Sequence, residues 1–235
     1  MSICVILPLQ AQQTDEETVE AKEIKLNNNY TVWLKSITLS EYTVKTEKSA
    51  HLQNEPYKAV DINGALKMLG KRLKMNIVKD KIEYKYEITF KDGIVKYLDS
   101  DYDFIAYFPQ LEILLFEGGH GSDQPFDLNN SNNAITFIDF PHRIRIGNPY
   151  YHVVSPDKQL RINGFHDGQD CVMRFLEKWN KSTKKYEFVG WFWGENHIFD
   201  LCYTWNWLWI DNNKAIFKNS TGGEGEFYEM EVITK

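Results

Sequence analysis

Two short strings combine glycine with histidine and aspartate, the residue types that bind metal ions and transfer protons. Residues 118–123 read GGHGSD, and residues 166–170 read HDGQD. Glycine permits backbone conformations that bring the chain close to a ligand. The candidate ligands in these two turns are His120, Asp123, His166 and Asp167. The alternative is that both strings are ordinary tight turns, in which glycine and aspartate are common.

The spacing of these side chains matches no established metal or catalytic motif. A zinc site needs three or four converging ligands, and the chain contains neither HExxH nor CxxC. It also lacks a GxSxG nucleophile elbow, a P-loop and a dinucleotide-binding fingerprint. We therefore predict no catalytic residue, no bound metal and no cofactor. A hydrolase that uses the two turns is kept as a secondary hypothesis.

The second unusual feature is an aromatic run within residues 191–209. It contains Trp191, Phe192, Trp193, Tyr203, Trp205, Trp207 and Trp209. Side chains alternate along a strand, so the first two tryptophans should share one face and the last three another. Two such rows exceed what one face usually buries, although a wholly buried core is the alternative. We predict that at least one of the last three is exposed, because exposed Trp and Tyr bind proteins and stack on sugars.

Composition limits the classes of partner. The chain has 235 residues and a net charge of −6. Nucleic-acid binders need a basic surface that displaces counterions, so we predict that nucleic acid is not bound. An acidic protein is compatible with a cationic partner. No stretch reaches the roughly 18 apolar residues of a membrane-spanning helix.

The first residues predict export. Residues 3–9 form a short apolar run, and the following Gln10 and Ala11 suit the cleavage site of a secretory signal. A basic segment before the run is missing. We therefore interpret residues 1–11 as a truncated signal peptide and residues 12–29 as a flexible polar lead; a buried N-terminal strand is the alternative. This interpretation predicts a periplasmic or extracellular protein.

Cysteine usage is consistent with export. Cleavage after Ala11 would remove Cys4 and leave Cys171 and Cys202. In an oxidising compartment these two could form a disulfide. The alternative is two separate buried thiols.

Hydrophobic periodicity predicts mostly strands. Residues 30–44 alternate in three successive registers, which is typical of strands. Residues 60–75 place apolar side chains on one face of a helix that Asp61 could cap. Because glycine weakens a helix, a hairpin at Gly70 is the competing interpretation, and we prefer a short helix. After residue 76 the chain reads as strands joined by turns, including a hairpin turn at residues 91–93.

A loose repeat follows, with aromatic strands opening segments near residues 104–143, 149–195 and 199–234. Periods of this size are typical of propeller blades or repeated meanders. Residues 155–158 (SPDK) precede a strand and resemble the Ser-Pro-Asp-Gly-Lys turn of bacterial β-propeller blades, without its glycine. Residues 126–130 (FDLNN) resemble the segment before a blade's outer strand. The resemblance covers residues 104–234 and implies no enzymatic residue.

These observations predict a mainly β protein of antiparallel meanders with blade-like repeats, either propeller-like or a β-sandwich, with one short helix. Residues 30–235 should form a single β-rich domain. The leading functional hypothesis is an exported, non-enzymatic inhibitor or immunity-type protein that binds another protein. The first alternative is a carbohydrate-binding module that uses surface tryptophans.

Overall fold

The computed structural model describes residues 21–131, 146–168, 171–192, 204–219 and 226–235. These ranges contain fifteen strands, arranged in four antiparallel sheets, and two α-helices. The predicted mainly β, antiparallel fold is confirmed. No helix in the described ranges is long and apolar enough to cross a bilayer.

The largest sheet joins the N-terminal strands to the C-terminal meander. Its strands are β1 (Lys22–Lys25), β2 (Tyr30–Ile37), β13 (Thr204–Trp209), β14 (Lys214–Asn219) and β15 (Glu226–Thr234), in the order β1-β2-β15-β14-β13. Strand β1 pairs with β2, so that Lys22 lies opposite Leu34 and Lys25 opposite Thr31. The prediction of a flexible lead over residues 12–29 is therefore wrong for this strand, because its backbone is paired along the sheet edge.

A four-stranded meander packs on this sheet. It comprises β9 (Val153–Val154), β10 (Leu160–His166), β11 (Val172–Asn180) and β12 (Lys185–Trp191), in the order β12-β11-β10-β9. Ile162 and Leu176 from the meander share a buried core with Val32, Phe217 and Trp209 of the five-stranded sheet. The two sheets thus form a sandwich whose core lies between them.

The remaining two sheets share a second core with one helix. They contain β3 (Leu73–Lys79), β4 (Ile82–Thr89) and β5 (Val95–Leu98), and β6 (Asp103–Phe108), β7 (Ile113–Glu117) and β8 (Asp123–Asp127). Leu73, Ile88, Leu114 and Phe116 are all buried in this core. The predicted hairpin turn at residues 91–93 is confirmed, since Gly93 has a φ of +85° at the turn between β4 and β5.

Helix α1 (Leu39–Ser49) lies where residues 30–44 were predicted to continue as strand, so that prediction is wrong beyond Ile37. The cause is a capping box. The Glu41 backbone N–H donates to Thr38 Oγ1 (3.2 Å), and the Thr38 N–H donates to Glu41 Oε2 (2.8 Å). These two bonds satisfy backbone donors that an isolated helix start leaves unpaired. The helix lies on the outer face of the five-stranded sheet. Its Lys45 Nζ forms an ion pair with Glu229 Oε2 of β15 at 2.6 Å.

Helix α2 (Ile62–Leu69) confirms the predicted short helix. The Asp61 carboxylate caps it by accepting the Gly64 backbone N–H at 2.8 Å. Gly70, with a φ of +55°, ends it and turns the chain toward β3. The competing interpretation of a hairpin at Gly70 is wrong, because a helix rather than a strand precedes this glycine, which acts as the helix terminator.

The segments for which a repeat is predicted contain successive antiparallel meanders, and the repeat itself stays a prediction. Strands β6–β8, β9–β12 and β13–β15 are three such units. In the described part of the chain they lie in separate sheets, and none closes into a barrel or propeller. The turn at residues 155–158 connects β9 to β10, where the Lys158 N–H donates to Ser155 O at 2.9 Å.

Candidate functional site

The structure brings the two glycine-histidine turns together. Asp123 Oδ2 accepts the His166 backbone N–H (2.6 Å), and Asp123 Oδ1 accepts Asn148 Nδ2–H (2.9 Å). His166 Nδ1 lies 3.0 Å from Gly121 O. Burial is the main cause that raises the pKa of the Asp123 carboxyl. N–H donors occupy both oxygens of the Asp123 carboxylate. This side chain therefore links β8 to β10 and is not available as an acid or base.

The other members of these turns are no better placed for chemistry. His120 is exposed and has a φ of +62°. Asp167 Oδ1 lies 3.4 Å from the Cys171 backbone N–H, which donates to it. No group of three His, Cys, Asp or Glu side chains able to hold a metal occurs within the described ranges. The hydrolase hypothesis therefore gains no support from this geometry.

The aromatic run divides between core and surface. Trp207 and Trp209 are buried, whereas Trp205 is 48% exposed. Trp191 packs beside the Phe175 ring, with 4.9 Å between centroids. Trp193 and Tyr203 lie outside the described residues.

The expectation that Trp205, Trp207 and Trp209 share one face is wrong. Asn206 has a φ of +53°, and the register with β14 shifts between Trp205 and Leu208. This bulge breaks the period-two alternation, so Trp205 turns outward while the other two tryptophans turn inward. The buried indoles also differ. Trp209 Nε1–H donates to Val153 O at 2.8 Å, whereas Trp207 Nε1 has no partner among the described residues.

The disulfide prediction stays open as to its partner. Cys171 is disulfide-bonded. Cys202 lies outside the described residues, as do Cys4 and the remainder of the predicted signal peptide. Pairing of Cys171 with Cys202 therefore remains a prediction.

A cleft that sequence patterns did not indicate is the better candidate site. It has a volume of about 670 Å³ and opens beside the four-stranded sheet. That volume lies within the roughly 300–1,000 Å³ typical of ligand pockets. The lining side chains that matter here are Gln53, Asn54, Tyr57, His152, Trp179 and Tyr186. We call this site the aromatic cleft.

Two of its rings come from one hairpin. Trp179 of β11 lies directly opposite Tyr186 of β12. Their ring centroids are 5.1 Å apart, in an edge-to-face arrangement. The Tyr186 hydroxyl donates to Lys158 O at 2.9 Å, which ties the ring to the turn between β9 and β10. Burial is the main cause that raises the Tyr186 pKa to about 12, so this hydroxyl stays protonated as a donor.

The third ring is that of Tyr57, which lies in the segment of residues 53–57 that follows α1. We call this segment the strap. Gln53 Nε2–H donates to Trp209 O (2.8 Å), and Asn54 Nδ2–H donates to Val154 O (3.0 Å). These bonds hold Tyr57 against His152, with ring centroids 5.6 Å apart. Three aromatic side chains therefore line one cavity.

A buried ion pair lies beneath the cleft. Arg161 Nε is 2.5 Å from Glu177 Oε2, and the two side chains are only 10% and 7% exposed. Asn163 Nδ2–H donates to the same carboxylate oxygen at 3.0 Å. The Arg161 guanidinium also lies over the Tyr186 ring, 4.2 Å from its centroid, which is a cation–π contact.

His152 completes the lining. Its Nδ1 lies 3.4 Å from Arg161 Nη1. Since arginine can only donate, Nδ1 must accept, and this assigns the proton of the neutral ring to Nε2. Burial and the positive charge of Arg161 hold the His152 pKa well below its usual range. The ring is therefore neutral at physiological pH.

Acidification should destabilise the protein through His152. Because its folded pKa is lowered, the unfolded chain binds this proton more readily below about pH 6.5, so the free energy of unfolding falls as the pH falls. Between pH 7.5 and 5.5 the wild type should lose about 1 kcal/mol more than the His152→Gln variant does. Urea unfolding at the two pH values measures this difference. His51→Gln, at an exposed position, is the control and should keep the wild-type pH dependence; equal losses in all three proteins would refute the assignment.

The cleft offers apolar ring faces together with free hydrogen-bonding groups. The amide nitrogens of Gln53 and Asn54 hold the strap, whereas their amide oxygens have no partner in the described part of the chain. Such a set can stack a ring and accept hydrogen bonds from its substituents. The described lining contains no nucleophile paired with a base.

Comparison with protein-family models, curated proteins and solved structures finds no match for this chain.

Proposed function

We propose that the protein is a non-enzymatic carbohydrate-binding protein and that the aromatic cleft is its binding site. The observation that carries this proposal is the convergence of Tyr57, Trp179 and Tyr186 on one cavity. The apolar faces of sugar rings stack on aromatic side chains, which supply large contact areas with little loss of side-chain entropy. The free amide oxygens of Gln53 and Asn54 are suited to accept hydrogen bonds from sugar hydroxyls.

Removal of one cleft ring should abolish most of the affinity. Screening on a glycan array identifies a bound saccharide, and calorimetric titration then compares variants with it. Trp179→Ala should weaken binding by about 2 kcal/mol, or roughly thirtyfold, as expected for a hot-spot residue. Trp205→Ala removes an exposed ring outside the cleft and is the matched control, which should bind like wild type. A folded Trp179→Ala variant with wild-type affinity would reject the cleft as the site.

Protein binding is the second candidate, as an inhibitor or immunity-type protein. The observation that favours it is Trp205, which is exposed on the bulge beside α1. The Tyr42 hydroxyl of α1 donates to Asn206 O (3.3 Å), and the Tyr42 ring lies 4.8 Å from that of Phe227. A partner captured from a lysate by wild type and lost in Trp205→Ala would support this candidate. Equal capture by both proteins would argue against it.

Export to the periplasm or the extracellular space is part of the proposal. The disulfide at Cys171 supports it, because disulfides persist mainly in oxidising compartments. N-terminal sequencing of the mature protein tests it: a start near Gln12 agrees with export, and an intact Met1 disagrees.

A further inference from the structure

The charges around the aromatic cleft are matched, and this bears on which carbohydrate it accepts. Resting on the proposed function, we infer that the cleft selects uncharged saccharides over acidic sugars and amino sugars. Three features favour this selectivity: the buried ion pair beneath the cleft, the charges on the cleft rim, and the kind of hydrogen-bonding groups that the cleft presents.

The buried ion pair beneath the cleft, which touches the cleft lining through the Tyr186 ring, already balances its own charge. Arg161 and Glu177 pair at 2.5 Å with both side chains almost fully buried, and Asn163 donates to the same carboxylate. Because each of these two charges is already paired, a ligand carboxylate or ammonium in the cleft would find no unpaired opposite charge among the described residues beneath it. A charged ligand group that enters the cleft without such a partner loses hydration, and no attraction offsets that loss.

Among the described residues, the rim of the cleft adds no net charge. Glu55 and Lys158 line the cleft and are both exposed. One charge of each sign, screened by solvent, provides little attraction for either a cationic or an anionic ligand.

The hydrogen-bonding groups discriminate further against acids. The free groups contributed by Gln53 and Asn54 are amide oxygens, which only accept hydrogen bonds. A sugar hydroxyl can donate to them, whereas an ionised carboxylate has no proton to give and would be repelled. Such a mismatch selects against a ligand as effectively as a good contact selects for one.

Matched saccharides test the inference on the intact protein. Oligogalacturonate and its methyl ester share one skeleton and differ in charge, and chitotetraose and its deacetylated form are a second such pair. By calorimetric titration the uncharged member of at least one pair should bind, and its charged counterpart should bind at least about tenfold more weakly. Binding of the uncharged member should also change little with ionic strength.

Rim variants provide a check that avoids the buried pair. Lys158→Gln and Glu55→Gln alter exposed side chains, so folding should not be affected. Each should change the affinity for the uncharged saccharide by less than about threefold. Equal or tighter binding of the charged members, or a strong loss in Lys158→Gln, would overturn the selectivity while leaving carbohydrate binding intact. A folded protein that binds nothing on the glycan array would instead overturn the proposed function and the inference with it.

Discussion

Replacing Glu177 by leucine should lower the free energy of unfolding by about 3–5 kcal/mol. Glu177 is the acid paired with Arg161, and both side chains are buried. Without it the guanidinium would remain in the protein interior as an uncompensated charge. The Tyr186 ring at 4.2 Å attracts a cation but cannot neutralise it. Urea unfolding of the variant and the wild type measures the loss.

The double variant Arg161→Met, Glu177→Leu is the matched control for this prediction. Apolar replacement of a whole buried ion pair is often tolerated, because the desolvation cost disappears together with the attraction. The double variant should therefore recover most of the stability lost by Glu177→Leu, apart from the bond that Asn163 Nδ2 donates to Glu177. A single variant as stable as wild type would mean that Arg161 is compensated by some other group.

Trp209→Ala should lower the free energy of unfolding by about 3–5 kcal/mol, as is usual when a large core side chain is truncated. Trp209 is fully buried, and its indole N–H donates to Val153 O at 2.8 Å. The variant loses the packing and leaves that carbonyl without its donor. Trp205→Ala, four positions earlier and exposed, should stay within about 0.5 kcal/mol of wild type. Thermal melts of the pair would contradict the structure if Trp205→Ala lost as much stability as Trp209→Ala.

Local signals in the sequence predict the local parts of the fold. The hairpin turn at residues 91–93 and the cap at Asp61 both depend on neighbouring residues, and both are present. The capping box between Thr38 and Glu41 is an equally local signal, S/T-x-x-E before a helix. This spacing predicts the start of α1 at Leu39, whereas the apparent alternation of residues 30–44 does not.

The outward turn of Trp205 could not be predicted in the same way. It depends on a bulge at Asn206 with a positive φ, and neither a glycine nor a change in hydrophobic pattern marks it. Alternation along β13 therefore predicted a shared face that the backbone does not provide.

Only part of the aromatic cleft could be predicted from the sequence. Trp179 and Tyr186 flank one hairpin turn, so pairing the strands predicts that the rings meet. Tyr57 and His152 arrive from distant segments, and the amide contacts of Gln53 and Asn54 that seat the strap are long-range. No local pattern encodes contacts of that kind.

The most direct test of the proposed carbohydrate site is to observe the indole N–H of Trp179 while a saccharide binds. Tryptophan indole groups give separate resonances in proton–nitrogen correlation spectra, and the Trp179→Ala and Trp205→Ala variants assign the two that matter. On titration with the uncharged oligosaccharide retained most strongly by the glycan array, the Trp179 resonance should shift saturably while that of Trp205 stays in place. A saturable shift at Trp205, with Trp179 unmoved, would contradict binding in the aromatic cleft.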